Sequence, residues 1–198
     1  MRHVDDRYHG ESRQHDLAVW MLGRGARTHT IMAWAKLPRY RIQALSKRYG
    51  SGEGDERRRG ISPSNLAFFT SSLVVESESA TLAALYFGME AIPEQPIIDA
   101  RTTLPNVVRG ERLMWAYELY LSSVKEPRIS LERAVLLGLE IAEGRNLYLR
   151  RCSTCPLFTL LELVGAQHTQ CAQCRDSQGR VSPAGAVWST TSAMDESA

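Results

Sequence analysis

Apolar residues recur at helical spacing through much of this chain, a proline introduces a strongly basic segment near its start, and two CxxC pairs sit near its end. These three observations predict a mainly α fold. The expected architecture is a helical bundle with an N-terminal helix-turn-helix-like segment and a small C-terminal four-cysteine segment of zinc-ribbon type. The chain has 198 residues, 43% of them hydrophobic and 23% charged, which supports one sizeable core with a small appendage. No stretch approaches the roughly 18 uncharged apolar residues of a spanning helix. The polar start MRHVDDRYHGESRQHD lacks the apolar centre of a signal peptide, so no membrane partner and a cytoplasmic location are expected.

Residues 1–11 carry no periodic apolar pattern and read as a mobile lead-in to a helical domain over 12–150. Leu17, Trp20 and Met21 then fall at helical spacing, and Gly23 and Gly25 punctuate them, so a first helix is expected over roughly 13–24. The segment Arg27–Gly50 reads as two short helices joined at Lys36 and Leu37. Pro38 suits a first helical turn and biases Leu37 toward an extended conformation, which starts the second helix there. Ile42, Leu45 and Tyr49 line one side of that helix. Tyr40, Gln43 and Lys47 point to the opposite side, flanked by Arg39, Arg41 and Arg48.

The formal charge of +2 hides a concentration of cations. From Arg24 to Arg59 ten Lys/Arg face three acids, so the remainder of the chain is net negative. A localised anionic partner, nucleic acid first, fits such a segment, and so does a merely solvated basic face. The helix pair likewise reads either as a unit that places its second helix in a DNA major groove or as a structural hairpin. On the first reading the DNA-contacting residues are Arg39, Tyr40, Arg41, Gln43, Lys47 and Arg48. The glycine-rich stretch 50–60 reads as a loop whose Arg57, Arg58 and Arg59 either touch phosphate or are solvated.

Further helical patterns cover Ser79–Ala91, Val108–Lys125 and Ser130–Arg151, with Pro93, Pro96, Pro105 and Pro127 as punctuation. SLERAVLLGLEIAEGRNLYL is apolar on most faces and predicts a helix at the centre of the bundle. Trp115, Tyr117, Tyr120 and Tyr148 read as core or partner-facing aromatics. Residues 177–198, rich in Ser, Ala, Gly and Thr, read as a disordered tail.

Cys152, Cys155, Cys171 and Cys174 form two CxxC pairs separated by 15 residues, the spacing of structural zinc sites. Two knuckles that converge complete a tetrahedron of thiolates around one Zn²⁺, leaving no open position for water or substrate. The expected cofactor is therefore one structural zinc per chain, held by a segment over 151–176 that is too small to fold on apolar burial alone. PLFTLLELV is expected to supply strand and hairpin between the knuckles, and His168 to lie at the surface or to support the ligands from outside. A thiol redox pair is the competing use of these cysteines. No P-loop, HExxH, GxSxG or dinucleotide fingerprint is present, which argues against an enzyme.

Several blocks occur in a telling order. GARTHTIMAWAKLPRYRIQALSKRYG, RGISPSNLAFF, AYELYL and ERAVLLGLEIAEGRNLYLRRC, followed by CSTC and CAQC, resemble the bacterial flagellar transcriptional activator subunit FlhC family over roughly residues 15–176. The resemblance implies a zinc-containing, mainly helical protein that binds double-stranded promoter DNA. It implies a hetero-oligomer with an FlhD-type companion subunit that activates flagellar operons with RNA polymerase, the four cysteines matching the family's zinc ligands. The alternatives are a zinc-stabilised protein-interaction scaffold and a divergent regulator of non-flagellar genes.

Overall fold

The computed structural model describes residues 2–49, 63–163 and 168–179. Among them the chain forms α1 (Arg2–Gly23), α2 (Thr28–Ala35), α3 (Arg39–Tyr49), a 3-10 turn (Leu66–Thr70), α4 (Leu73–Gly88), α5 (Ala100–Thr103) and α6 (Val107–Ser123). It continues through α7 (Leu131–Glu143), β1 (Leu147–Arg151), β2 (Phe158–Glu162) and α8 (Ala172–Gly179). The mainly helical class expected from the sequence is observed. No helix of the described residues is long and apolar enough to cross a membrane.

α1 begins at Arg2, well before the helix expected near residue 13, so the helix runs through the stretch read as a lead-in. Its apolar positions become informative only where Leu17, Ala18 and Met21 enter the core. α2 and α3 fall where Pro38 predicts. Lys36 ends α2 in the left-handed region at φ 56°, the conformation a glycine would adopt most easily. Ile42 is fully buried, Leu45 half-buried, and Tyr49 lies at the edge of the stripe, its ring edge-on to His15 at 6.1 Å.

α4 starts at Leu73 and not near Ser79, because the Ser72 hydroxyl accepts the Val75 N–H at 3.3 Å and caps the helix. The intervening ESES reads as solvent-facing in sequence, yet Glu76 and Glu78 are both buried. α6 agrees closely with the expected helix over 108–125. The helix expected over 130–151 is corrected: α7 stops at Glu143, where Gly144 at φ 63° donates to the Glu140 and Ile141 carbonyls. Residues 147–151 are instead strand β1, antiparallel to β2 with Leu149 opposite Leu160. The strand expected from PLFTLLELV is therefore present, but its partner comes from a segment read as helix.

One continuous core joins α1 to α7, the 3-10 turn and the two strands, whereas α8 contributes no residue to it. Trp34 of α2 is buried against α1 and α6, where Gly110 lets α6 approach: a Cβ there would meet Leu17 Cδ2 at 2.7 Å and Trp34 Cε3 at 3.5 Å. Tyr86 of α4 is buried beside Gly138 of α7 and donates to the Ala134 carbonyl at 2.9 Å. Tyr117 and Tyr120 lie in the core as expected, Tyr148 is half-buried, and Trp115 is 60% exposed.

Four buried glutamates tie the elements together. Glu132, in the first turn of α7, accepts the Arg27 N–H at 2.7 Å and the Thr30 hydroxyl at 3.1 Å, which fixes the start of α2. Glu78 accepts the Tyr120 hydroxyl at 2.6 Å, the Arg128 N–H at 2.9 Å and the Arg128 guanidinium at 2.7 Å. Glu140 accepts from Arg101 of α5 and, at 2.8 Å, from the Asn146 amide. Glu76 is described with the cysteine site below. A buried carboxylate is costly unless it is hydrogen-bonded, and each of these is; Glu76, Glu78 and Glu140 are also ion-paired. Stretches 50–60 and 180–198, read as a loop and a tail, lie outside the described residues, whereas residues 177–179 belong to α8.

Gly144 is the tightest point of the turn into β1: its φ of 63° favours glycine, and a Cβ would meet Pro96 Cγ at 2.9 Å. Gly144→Ala is expected to destabilise the protein by about 1–2 kcal/mol. Urea denaturation should show a lower midpoint at an unchanged m-value.

Candidate metal centre and basic helix

The hairpin turn between β1 and β2 is itself the first cysteine knuckle. Cys152 N–H donates to the Leu157 carbonyl at 2.8 Å, closing a loop in which Cys155 turns back toward Cys152. The second knuckle leads into α8, with Cys171 just before the helix and Cys174 in its first turn. Three contacts bring the knuckles together: Ser153 N–H to the Thr169 carbonyl at 2.9 Å, Ser153 to Thr169 through their hydroxyls at 3.2 Å, and the Gln170 amide to the Thr154 hydroxyl at 3.2 Å.

The four Sγ atoms all lie within 4.8 Å of one another, Cys155 and Cys171 at 3.6 Å, and no disulfide links them. A tetrahedral ion bonded to sulfur at about 2.3 Å needs sulfurs about 3.8 Å apart, so the quartet is arranged to hold one metal ion. Cys152 and Cys171 are buried, whereas Cys155 and Cys174 are half-buried.

The thiols are also prepared electrostatically. Burial pushes the Cys152 thiol up, but the N–H groups of Cys171 (3.2 Å) and Thr154 (3.4 Å) donate to its sulfur and bring it down to about 6. Hydrogen bonding to Cys155, then burial and the neighbouring thiols, pushes Cys174 up to about 12. Sulfurs this close cannot all be anionic without a cation between them. A metal ion supplies that cation and displaces the remaining thiol protons.

No protein-family model matches this chain, and no curated protein matches it.

The cysteine segment is docked onto the bundle through Glu76, a residue that sequence reasoning misses. This carboxylate, buried in the first turn of α4, accepts the Thr159 hydroxyl of β2 at 3.2 Å, meets His168 Nε2 at 3.0 Å and pairs with Arg175, the residue after Cys174. His168 thus stands outside the ligand quartet and supports the segment from the side. The sequence offers a signal only in Arg175 beside the last cysteine; nothing near Glu76 marks it as the partner.

Arg39, Tyr40, Arg41, Gln43, Lys47 and Arg48 are all exposed along α3. Arg48 lies over the Tyr49 ring at 5.3 Å, and none of the six side chains forms a hydrogen bond or ion pair with another described residue. α3 packs its Ile42 side on α1 and α2. The six residues and the four cysteines lie on separate elements, with no contact between α3 and the hairpin or α8 among the stronger packing contacts.

Removing Glu76 would leave Arg175 without its carboxylate in a partly buried setting. Glu76→Ala is expected to cost about 3 kcal/mol, the lower end for a buried pair because Arg175 remains a quarter exposed. Hydrogen exchange should locate the loss at β2 and α8. Because thiol protons must leave when metal binds, affinity for the ion should fall as pH drops from about 8 to about 6, with proton release measurable by titration calorimetry in buffers of different ionisation enthalpy.

Proposed function

We propose that this protein is a zinc-stabilised, DNA-binding transcriptional activator subunit in which α3 enters the major groove. The observation that carries this reading is the outer face of α3. Five cations or amides and one tyrosine project from a helix backed by buried Ile42, and no described carboxylate neutralises them. Long donors on a helix of this kind suit base edges and phosphates: Arg binds guanine in two-pronged fashion, Gln binds adenine, and the remaining cations hold the backbone. Glu132 holds the start of α2 to the bundle, which favours a fixed presentation of the pair.

Zinc is the ion proposed for the quartet. Four thiolates at tetrahedral spacing suit a d¹⁰ ion without redox chemistry, and a closed set of four sulfurs serves folding, not catalysis. No enzymatic role is proposed.

A companion subunit is proposed to cover α6. Val108, Trp115 and Leu119 are exposed at helical spacing on that helix, and Trp115 stacks edge-on with Trp20 at 5.0 Å. A large aromatic left in water beside two aliphatic side chains is the composition of an interface centre. With the FlhC resemblance, the companion is of FlhD type. The complex acts with RNA polymerase at flagellar promoters, in the cytoplasm. The same α6 stripe equally favours a second reading, a zinc-stabilised interaction scaffold that binds no DNA.

Gel-shift and anisotropy titrations on promoter duplexes, with and without the companion, test the main reading. Binding should weaken steeply with salt, and Lys47→Ala should lower affinity across all sequences and reduce the salt slope by about 1. Absence of duplex binding in either condition would leave the scaffold. Elemental analysis should return about one zinc per chain, lost in Cys171→Ser.

A further inference from the structure

We infer that the metal-pinned hairpin is a second contact for duplex DNA, gripping phosphate through Arg145, Arg150 and Arg151. This inference rests on the reading of α3 as a DNA-binding helix.

Many of the described arginines are ion-paired and others are not. On the bundle, Arg13 pairs with Glu111, Arg24 with Glu118, Arg101 with Glu140, Arg112 with Glu90, Arg128 with Glu78 and Arg175 with Glu76. These cations are spent on holding elements together. Arg39, Arg41 and Arg48 of α3 have no such partner among the described residues, and neither do Arg145, Arg150 and Arg151. The second trio lies within seven positions, in the turn before β1 and at the end of that strand, with all three exposed. Arg109 of α6 and Arg133 of α7, the latter over the Phe68 ring, also form no ion pair among the described residues.

None of the acids nearest the trio in the chain and the sheet forms an ion pair with it. Glu140 is taken by Arg101 and Asn146, Glu162 of the facing strand accepts the Thr70 hydroxyl, and Glu143 forms no ion pair with the trio. Arg151 stands over the ring of its cross-strand partner Phe158 at 5.3 Å, so its guanidinium is held by an aromatic face that leaves its donors free. The strand carrying Arg150 and Arg151 runs directly into Cys152. A bound ion therefore fixes the very end of β1, and donors held in place lose less freedom on binding than donors on a loose loop. Guanidinium groups match phosphate oxygens two at a time, which makes the sugar–phosphate backbone the fitting partner.

α7 relates the two cationic clusters. Glu132 in its first turn holds the start of α2, and β1 follows its last turn; its 13 residues extend about 20 Å. The inference therefore requires a duplex that reaches from α3 past the far end of α7.

The test uses the full-length, metal-loaded protein and a promoter duplex long enough to extend past the α3 site, with affinity followed by anisotropy from about 50 to about 300 mM salt. Arg150→Gln/Arg151→Gln is expected to keep about one metal per chain and to flatten the log-affinity against log-salt slope by about 2. Arg145→Gln should flatten it by about 1, and Arg150→Lys/Arg151→Lys should restore it. Sequence preference should be unchanged in every hairpin variant, whereas Gln43→Ala should alter it. An unchanged slope in the glutamine variants, with the wild type still binding duplex, would overturn the hairpin contact and leave the α3 reading intact. If the double variant loses its metal, the Arg145→Gln slope decides in the same way. A wild type that binds no duplex at all overturns both.

Discussion

The carboxylate of Glu76 is the constraint on which the C-terminal half depends. Four cysteines around an ion would make a stable knot of some two dozen residues, but a knot alone has no fixed relation to the bundle. Glu76 supplies that relation by receiving Thr159 from β2, His168 from the connection and Arg175 from α8 at one point on α4. Two of these partners lie between the knuckles and the third directly follows the second knuckle, so the contacts span the cysteine segment. Placing the carboxylate in the first turn of α4 also sets it at the positive end of the helix dipole, which offsets part of the cost of burying it. Glu76 thus ties the cysteine quartet, the hairpin and α8 to one point of the bundle.

The same device recurs at the other junctions. Glu132 and Glu140 stand near the two ends of α7 and hold, respectively, the start of α2 and the α5–β1 side of the molecule. Glu78 joins α4 to Tyr120 of α6 and to the connection that carries Arg128. Apolar burial supplies most of the driving force for collapse, but it is non-directional and would tolerate helices in several orientations. A buried carboxylate with two or three donors admits few. Directional contacts of this kind select one arrangement.

Legibility from sequence follows the range of the interactions concerned. The cysteine quartet is readable because thiolate spacing is a local property, and α3 is readable because Pro38 acts on its own φ and on the residue before it. The end of α7 is not: Leu147, Tyr148 and Leu149 continue an apolar run that suits either helix or strand, and only Gly144 at positive φ decides between them. α4 reads six residues short for the opposite reason. Glu76 and Glu78 look like solvent-facing residues until their partners, 42 to 99 positions away in the chain, are in place. The early start of α1 has no apolar period to announce it.

Charge shows the same boundary between local and distant information. A count of cations along the chain places an excess between residues 24 and 59, and that excess includes Arg24, which the fold neutralises against Glu118, 94 positions away. The count also passes over Arg145, Arg150 and Arg151, because acids surround them in sequence. Folding pairs Glu140 with Arg101, and the three arginines form no ion pair among the described residues. What an anionic partner meets is thus set by which carboxylates the bundle consumes, not by the order of charges along the chain. The field of this protein is a product of its tertiary structure, because which cations are neutralised depends on which carboxylates the fold brings to them.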